Sequence, residues 1–166
     1  KGENIMKKIL LSFALLLAGI AVNGQTVSKL MKKYKNKPGA ELINIDKNMM
    51  KLAKLGGVMF GFGKNEFSFD DNMKVNSLKV LELDECDDAL KKKFLDDFSA
   101  LDLEKEGYEM LISTNEDDEK VRIYGRKDGN ICKEILILGC DKEETDLVQI
   151  FGKIDFNKFL ENAKSE

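Results

Sequence analysis

The sequence predicts an α+β fold: a mainly antiparallel sheet of about six strands, with a C-terminal four-strand meander, packed against about four helices. Three observations predict it. The stretch DECDDALKKKFLDDFSAL, Asp84 to Leu101, has acids at its start, lysines after them, and Leu90, Phe94, Phe98 and Leu101 along one side, which is a helical pattern. Residues Glu119 to Arg126 alternate, Val121 and Ile123 against Lys120, Arg122, Tyr124 and Arg126. Asp128-Gly129 follows at once, the strongest hairpin signal in the chain.

From the start of the chain, the elements read in order. Lys7 and Lys8 precede ILLSFALLLAGIAV, Ile9 to Val22, which carries no charge and ends at short residues. A basic start, a brief apolar run and a small-residue exit make a secretory signal peptide, and the run is shorter than the ~20 residues of a membrane-spanning helix. Residues 1–24 are therefore read as upstream residues plus a cleavable leader starting at Met6, and residues 25–166 as a single domain. Of the chain's 27 basic and 30 acidic residues the leader removes three lysines and one glutamate, leaving 24 against 29 and a net charge of −5. An acidic exported chain is poorly suited to nucleic acid, whose affinity comes from neutralised phosphates. No second apolar stretch approaches spanning length.

Thr26 is placed to cap a helix over Val27 to Tyr34, with Val27, Leu30, Met31 and Tyr34 on one face. Pro38-Gly39 marks a turn, Glu41 to Ile45 a short strand, and Asp46 caps a helix that Gly56 ends. Lys74 to Leu83 has apolar residues of both parities, as a strand covered on two faces requires. Strands are expected over Tyr108 to Ser113, Glu119 to Arg126, Ile131 to Leu138 and Asp146 to Gly152, then a helix from Asp155 to about Lys164 that docks through Phe156, Phe159 and Leu160.

Composition removes several chemistries. There is no histidine, so the commonest general base near neutral pH, Ser-His and Cys-His pairs and most zinc sites are excluded. The glycine-rich stretch KLGGVMFGFGKNEF, Lys54 to Phe67, fails as a phosphate loop: Val58 stands where the first glycine is needed, and Asn65 replaces the hydroxyl after Lys64. It reads as a connection whose Val58, Met59, Phe60 and Phe62 either fold onto the core or form an apolar contact patch. The acidic loops NEDDE and DKEETD lack the ligand spacing of a calcium loop. No cofactor is expected.

Cysteines outside the cytosol tend to pair. Cys132 and Cys140 sit near opposite ends of one expected strand, roughly 26 Å apart and far beyond disulfide reach. That leaves Cys86 with Cys140, ahead of Cys86 with Cys132, or three free thiols; without a C-x-x-C pattern none is expected to be catalytic. Lys120, Arg122, Tyr124 and Arg126 place three cations and an aromatic on one side of a strand, either an anion-binding surface or an ordinary polar face, solvated or covered by a helix's carboxylates.

The order MMKLAK, VNSLKVLELDEC, EKVRIYGRKDGNI and LVQIFGKI, with a closing helix, resembles a family of small exported Bacteroidetes proteins catalogued as domain of unknown function 4252. The resemblance covers nearly all of the chain after the leader, and the glycine-rich stretch departs from it. It implies a fold and an exported address, periplasmic or extracellular, with a hint of envelope signalling, and no activity. The expected role is a non-catalytic interaction module contacting another envelope protein. The alternatives are a small-ligand or lipid carrier and, behind it, a carboxylate-dependent hydrolase.

Overall fold

Thr26 starts the first helix, α1 (Val27–Tyr34), by accepting the N–H of Lys29 on its hydroxyl at 3.3 Å. The structure, a computed structural model, describes residues 26–56, 60–62, 65–67, 74–116 and 119–157. The leader and Met59 lie outside these residues. The helix buries the face its spacing predicts, Val27, Leu30, Met31 and Tyr34. The turn after it depends on Gly39, whose φ of 78° is left-handed. A β-carbon there would also stand 2.2 Å from the Glu85 carbonyl oxygen, so no larger residue fits without moving backbone.

Strand β1 (Glu41–Ile45) leads into α2 (Lys47–Gly56), where Asp46 Oδ1 accepts the N–H groups of Asn48 and Met49 at 2.8 and 3.0 Å. The glycine-rich stretch, read from the sequence as a connection, contains a two-stranded antiparallel hairpin of β2 (Phe60–Phe62) and β3 (Asn65–Phe67). Glycine weakens strand propensity, which hid the hairpin from the pattern. Strand β4 (Lys74–Glu82) is followed by α3 (Asp88–Ser99), capped by Asp87 through the N–H of Leu90 at 2.7 Å.

Strands β5 (Glu109–Glu116), β6 (Glu119–Asp128), β7 (Ile131–Cys140) and β8 (Thr145–Asp155) run longer than the apolar pattern suggests. Backbone pairing continues past the last apolar side chain because the ladder needs only N–H and C=O groups. Gly129, with φ 63°, makes the β6–β7 turn at the position the sequence marks. The six long strands form one antiparallel sheet in the order β1-β4-β8-β7-β6-β5. The chain is thus α+β, with three helices among the described residues. The helix expected from Asp155 to about Lys164 is seen only at its first residues, where Asp155 Oδ1 accepts the N–H of Asn157 at 3.0 Å. Its remainder, with Phe159 and Leu160, falls outside the described residues.

The sheet is covered on both faces, as the mixed parity of β4 requires. On one face α1 and α3 pack over Leu81, Leu83, Leu136, Leu138 and Leu147. Tyr34 meets Phe94 edge-on with ring centroids 5.1 Å apart, and its hydroxyl donates to Asp97 at 2.5 Å. Lys33 pairs with the same carboxylate at 2.7 Å, which ties α1 to α3 and holds the Asp97 carboxyl below its ordinary range. On the other face Met50 of α2 and Phe156 join Leu78, Val80, Ile137, Val148 and Ile150. No helix among the described residues is long and apolar enough to cross a membrane.

Candidate functional site

Strand β6 carries the predicted surface, and the structure divides its four residues. Their face of the strand turns toward α1 and α3. Tyr124 is buried in the core beneath α3, its ring 6.1 Å from that of Phe98. It belongs to the packed interior more than to a free surface, because the turn after α3 covers it. Arg126 is held by the Glu134 carboxylate at 3.0 Å, and its guanidinium lies 4.6 Å over the Tyr108 ring. Lys120 is exposed and Arg122 is partly exposed, and among the described residues no carboxylate forms an ion pair with either.

Beside them the turn after α3 leaves an open groove of about 430 Å³. Leu101 and Leu103 supply apolar walls, Tyr124 and Arg122 line it from β6, and Asp102 and Glu104 stand at its polar side. Asp102 is already engaged by Lys105 at 3.0 Å, which holds its carboxyl below the ordinary range. Among the described residues Arg122 is the one cation lining the groove.

Further along β6, Arg126 joins the predicted surface to a polar centre that the sequence reading did not include. Glu134 is 4 % exposed on β7 and accepts hydrogen bonds from the Tyr108 hydroxyl and the Gln149 side-chain amide as well as pairing with Arg126. Burial and the adjacent carboxylate push the Tyr108 hydroxyl far above its usual pKa, so it stays a donor. Burial likewise raises the Glu106 carboxyl, although the Val27 N–H and the nearby Arg126 work against the rise. The sequence held half a signal for Glu134: it is an acid inside the apolar run of β7, but the register of the Asp128-Gly129 turn alone would set Lys133 opposite Arg126, and a shift between Arg126 and Lys127 brings Glu134 there instead.

A second polar group forms at one end of the opposite face. Glu41, Glu82 and Asp146 stand in register on three adjacent strands. Asp146 Oδ1 is buried without a hydrogen bond, and burial with the charges of Asp84, Glu82, Glu144 and Asp141 pushes its pKa up to about 7. Among the described residues no three His, Cys, Asp or Glu side chains gather closely enough to hold a metal ion.

The cysteines are free thiols. Cys86 is buried and its Sγ lies 3.4 Å from the Pro38 carbonyl, while Cys132 and Cys140 fall at opposite ends of β7. Burial raises all three thiol pKa values, which suits inert groups. Of the apolar patch, Phe60 and Phe62 lie on β2.

A family model described as Domain of unknown function (DUF4252) matches residues 34–161. The chain belongs to this family. The match runs from the end of α1 through β8 and so takes in the whole six-stranded sheet, the groove and the Glu134 centre. No curated protein and no solved structure matches the chain.

Proposed function

We propose that the chain is an exported, non-catalytic binding module of the cell envelope that contacts another envelope protein through the groove beside Arg122. The observation that carries this reading is the pair of cations on β6, Lys120 and Arg122, which have no carboxylate partner among the described residues, with Arg122 lining a groove that has apolar walls. An unpaired arginine at the edge of a partly apolar recess is the composition of an interface anchor. The groove is more open than enclosed, which favours a protein partner over an enclosed small ligand or lipid. The address rests on the leader-like residues 1–24, and a Bacteroidetes origin on the resemblance and on Gln25 at the new N-terminus. A role in envelope signalling belongs to the same reading.

Affinity capture from an envelope extract of the native host tests it. The bait is compared with a Lys120→Glu/Arg122→Glu variant that retains the wild-type circular dichroism. The expected result is a protein held by the wild type and released by the charge reversal. Recovery of one and the same set by both baits refutes the groove as the contact. Loss confined to a Phe60→Ala/Phe62→Ala bait moves the contact to the β2–β3 hairpin.

A further inference from the structure

Among the described residues β5 ends the sheet, and no strand of theirs neighbours its outer edge. Natural sheets blunt such edges with lysine, proline, bulges or very short strands. The other edge strand, β1, has five residues and passes within two residues into α2. β5 has eight residues, EMLISTNE, with neither lysine nor proline; its two acids stand at its ends, and Glu109 is paired with Lys127 at 2.9 Å. A register shift between Met110 and Ile112 bends its first part, but Ile112 to Glu116 pairs regularly with β6. Ser113, Thr114 and Asn115 are exposed, and Met110 is 56 % exposed. Among the described residues nothing pairs with this edge.

The side chains beside the edge indicate which strand it takes. On the groove face, Asn115 is opposite Lys120, Ser113 opposite Arg122 and Met110 opposite Tyr124. Small polar residues thus separate Lys120 and Arg122, which have no ion-pair partner among the described residues, from the edge, and a strand added to β5 lies two strand spacings from β6, about 9.6 Å. A lysine or arginine and a carboxylate side chain span that distance between them over Ser113 and Asn115. The cations are two residues apart on a strand, so they match carboxylates two residues apart on an extended partner. Further along, Met110 and the groove walls Leu101 and Leu103 are apolar, while Glu104 repels an acid there.

We infer that β5 accepts an extended acidic segment of a partner protein as a seventh strand, with the pattern acid-x-acid-x-apolar along the face that meets Lys120, Arg122 and Met110. This inference rests on the proposed binding role and names the chemistry of its partner. Backbone hydrogen bonds to β5 supply affinity, and the alternate side chains supply selection.

Fluorescence anisotropy with a labelled peptide, Gly-Glu-Thr-Glu-Thr-Leu-Thr-Gly, tests the inference on the purified protein. Saturable binding is expected, weakened about tenfold or more by the Lys120→Glu/Arg122→Glu variant and by replacing both peptide glutamates with lysine. Two further peptides, N-methylated at alternate residues in the two possible phases, report on strand addition without changing the protein. One phase is expected to abolish binding and the other to preserve it, because only alternate N–H groups face β5. Absence of peptide binding, equal binding of the lysine peptide, or equal binding of both N-methylated peptides overturns the inference. If the charge reversal releases a captured partner while the acidic peptide does not bind, the groove stands and the acidic strand falls; if neither responds, both fall.

Discussion

Asp146 makes stability depend on pH in a direction that a single substitution isolates. Its carboxyl titrates at about 7 in the folded chain against 3.8 for the unperturbed group, because burial and the carboxylates of Asp84, Glu82, Glu144 and Asp141 disfavour its charge. The folded group therefore keeps its proton to a higher pH than the unfolded one. Stability from this site is complete below about pH 4 and is lost as pH rises through about 7. Each unit in that window removes about 1.4 kcal/mol, so three units set an upper bound of about 4 kcal/mol. Asp146 is only partly buried, and solvent screening reduces the expected effect to about 2 kcal/mol. Asp146→Asn keeps the shape and has no charge to repel. Urea unfolding at pH 4, 6 and 8 is expected to show the variant equal to wild type at pH 4 and more stable by about 2 kcal/mol at pH 8. Taking the difference at each pH removes the opposing contributions of Asp97 and Asp102, whose carboxyls titrate below their ordinary range. A difference that stays flat with pH, or a variant less stable at pH 8, refutes the electrostatic account of this row.

Glu134→Ala leaves the Tyr108 hydroxyl, the Gln149 amide and Arg126 without their shared acceptor and is expected to cost about 3 kcal/mol in urea unfolding at pH 7, whereas Glu134→Gln, which keeps an acceptor oxygen, costs about half as much. An alanine variant as stable as wild type contradicts the network. Gly39→Ala combines a left-handed backbone with a β-carbon against the Glu85 carbonyl and is expected to cost about 2–4 kcal/mol by the same measurement, against a few tenths for Gly129→Asn, where the backbone is also left-handed but the space is open.

Much of this fold was legible in the chain before any coordinates. Thr26 and Asp46 cap helices because a short oxygen-bearing side chain before an apolar period is a local signal, and the Asp128-Gly129 turn is equally local; the helix read from Asp84 begins only at Asp88, with Asp87 the one of its leading acids that caps it. The β2–β3 hairpin escaped because glycine carries no side-chain pattern. The β6 surface was half legible. Alternation put Lys120, Arg122, Tyr124 and Arg126 on one face, but whether a helix covers that face is decided by residues near Phe98, far away in the chain. The acidic row was illegible for the same reason, since Glu41, Glu82 and Asp146 meet only through the order of β1, β4 and β8. Local chemistry announces itself; adjacency between distant strands does not.

That strand order has a consequence for biosynthesis. Of the described strands β8 is the last to leave the ribosome, yet it lies between β4 and β7, with Leu147 flanked by Leu81 and Leu138. Until Thr145 to Asp155 is made, β4 and β7 each present a raw edge to the other and to every neighbouring chain. The nascent sheet thus stays open until β8 arrives, and a stop codon shortly before Thr145 removes the joint between its two halves.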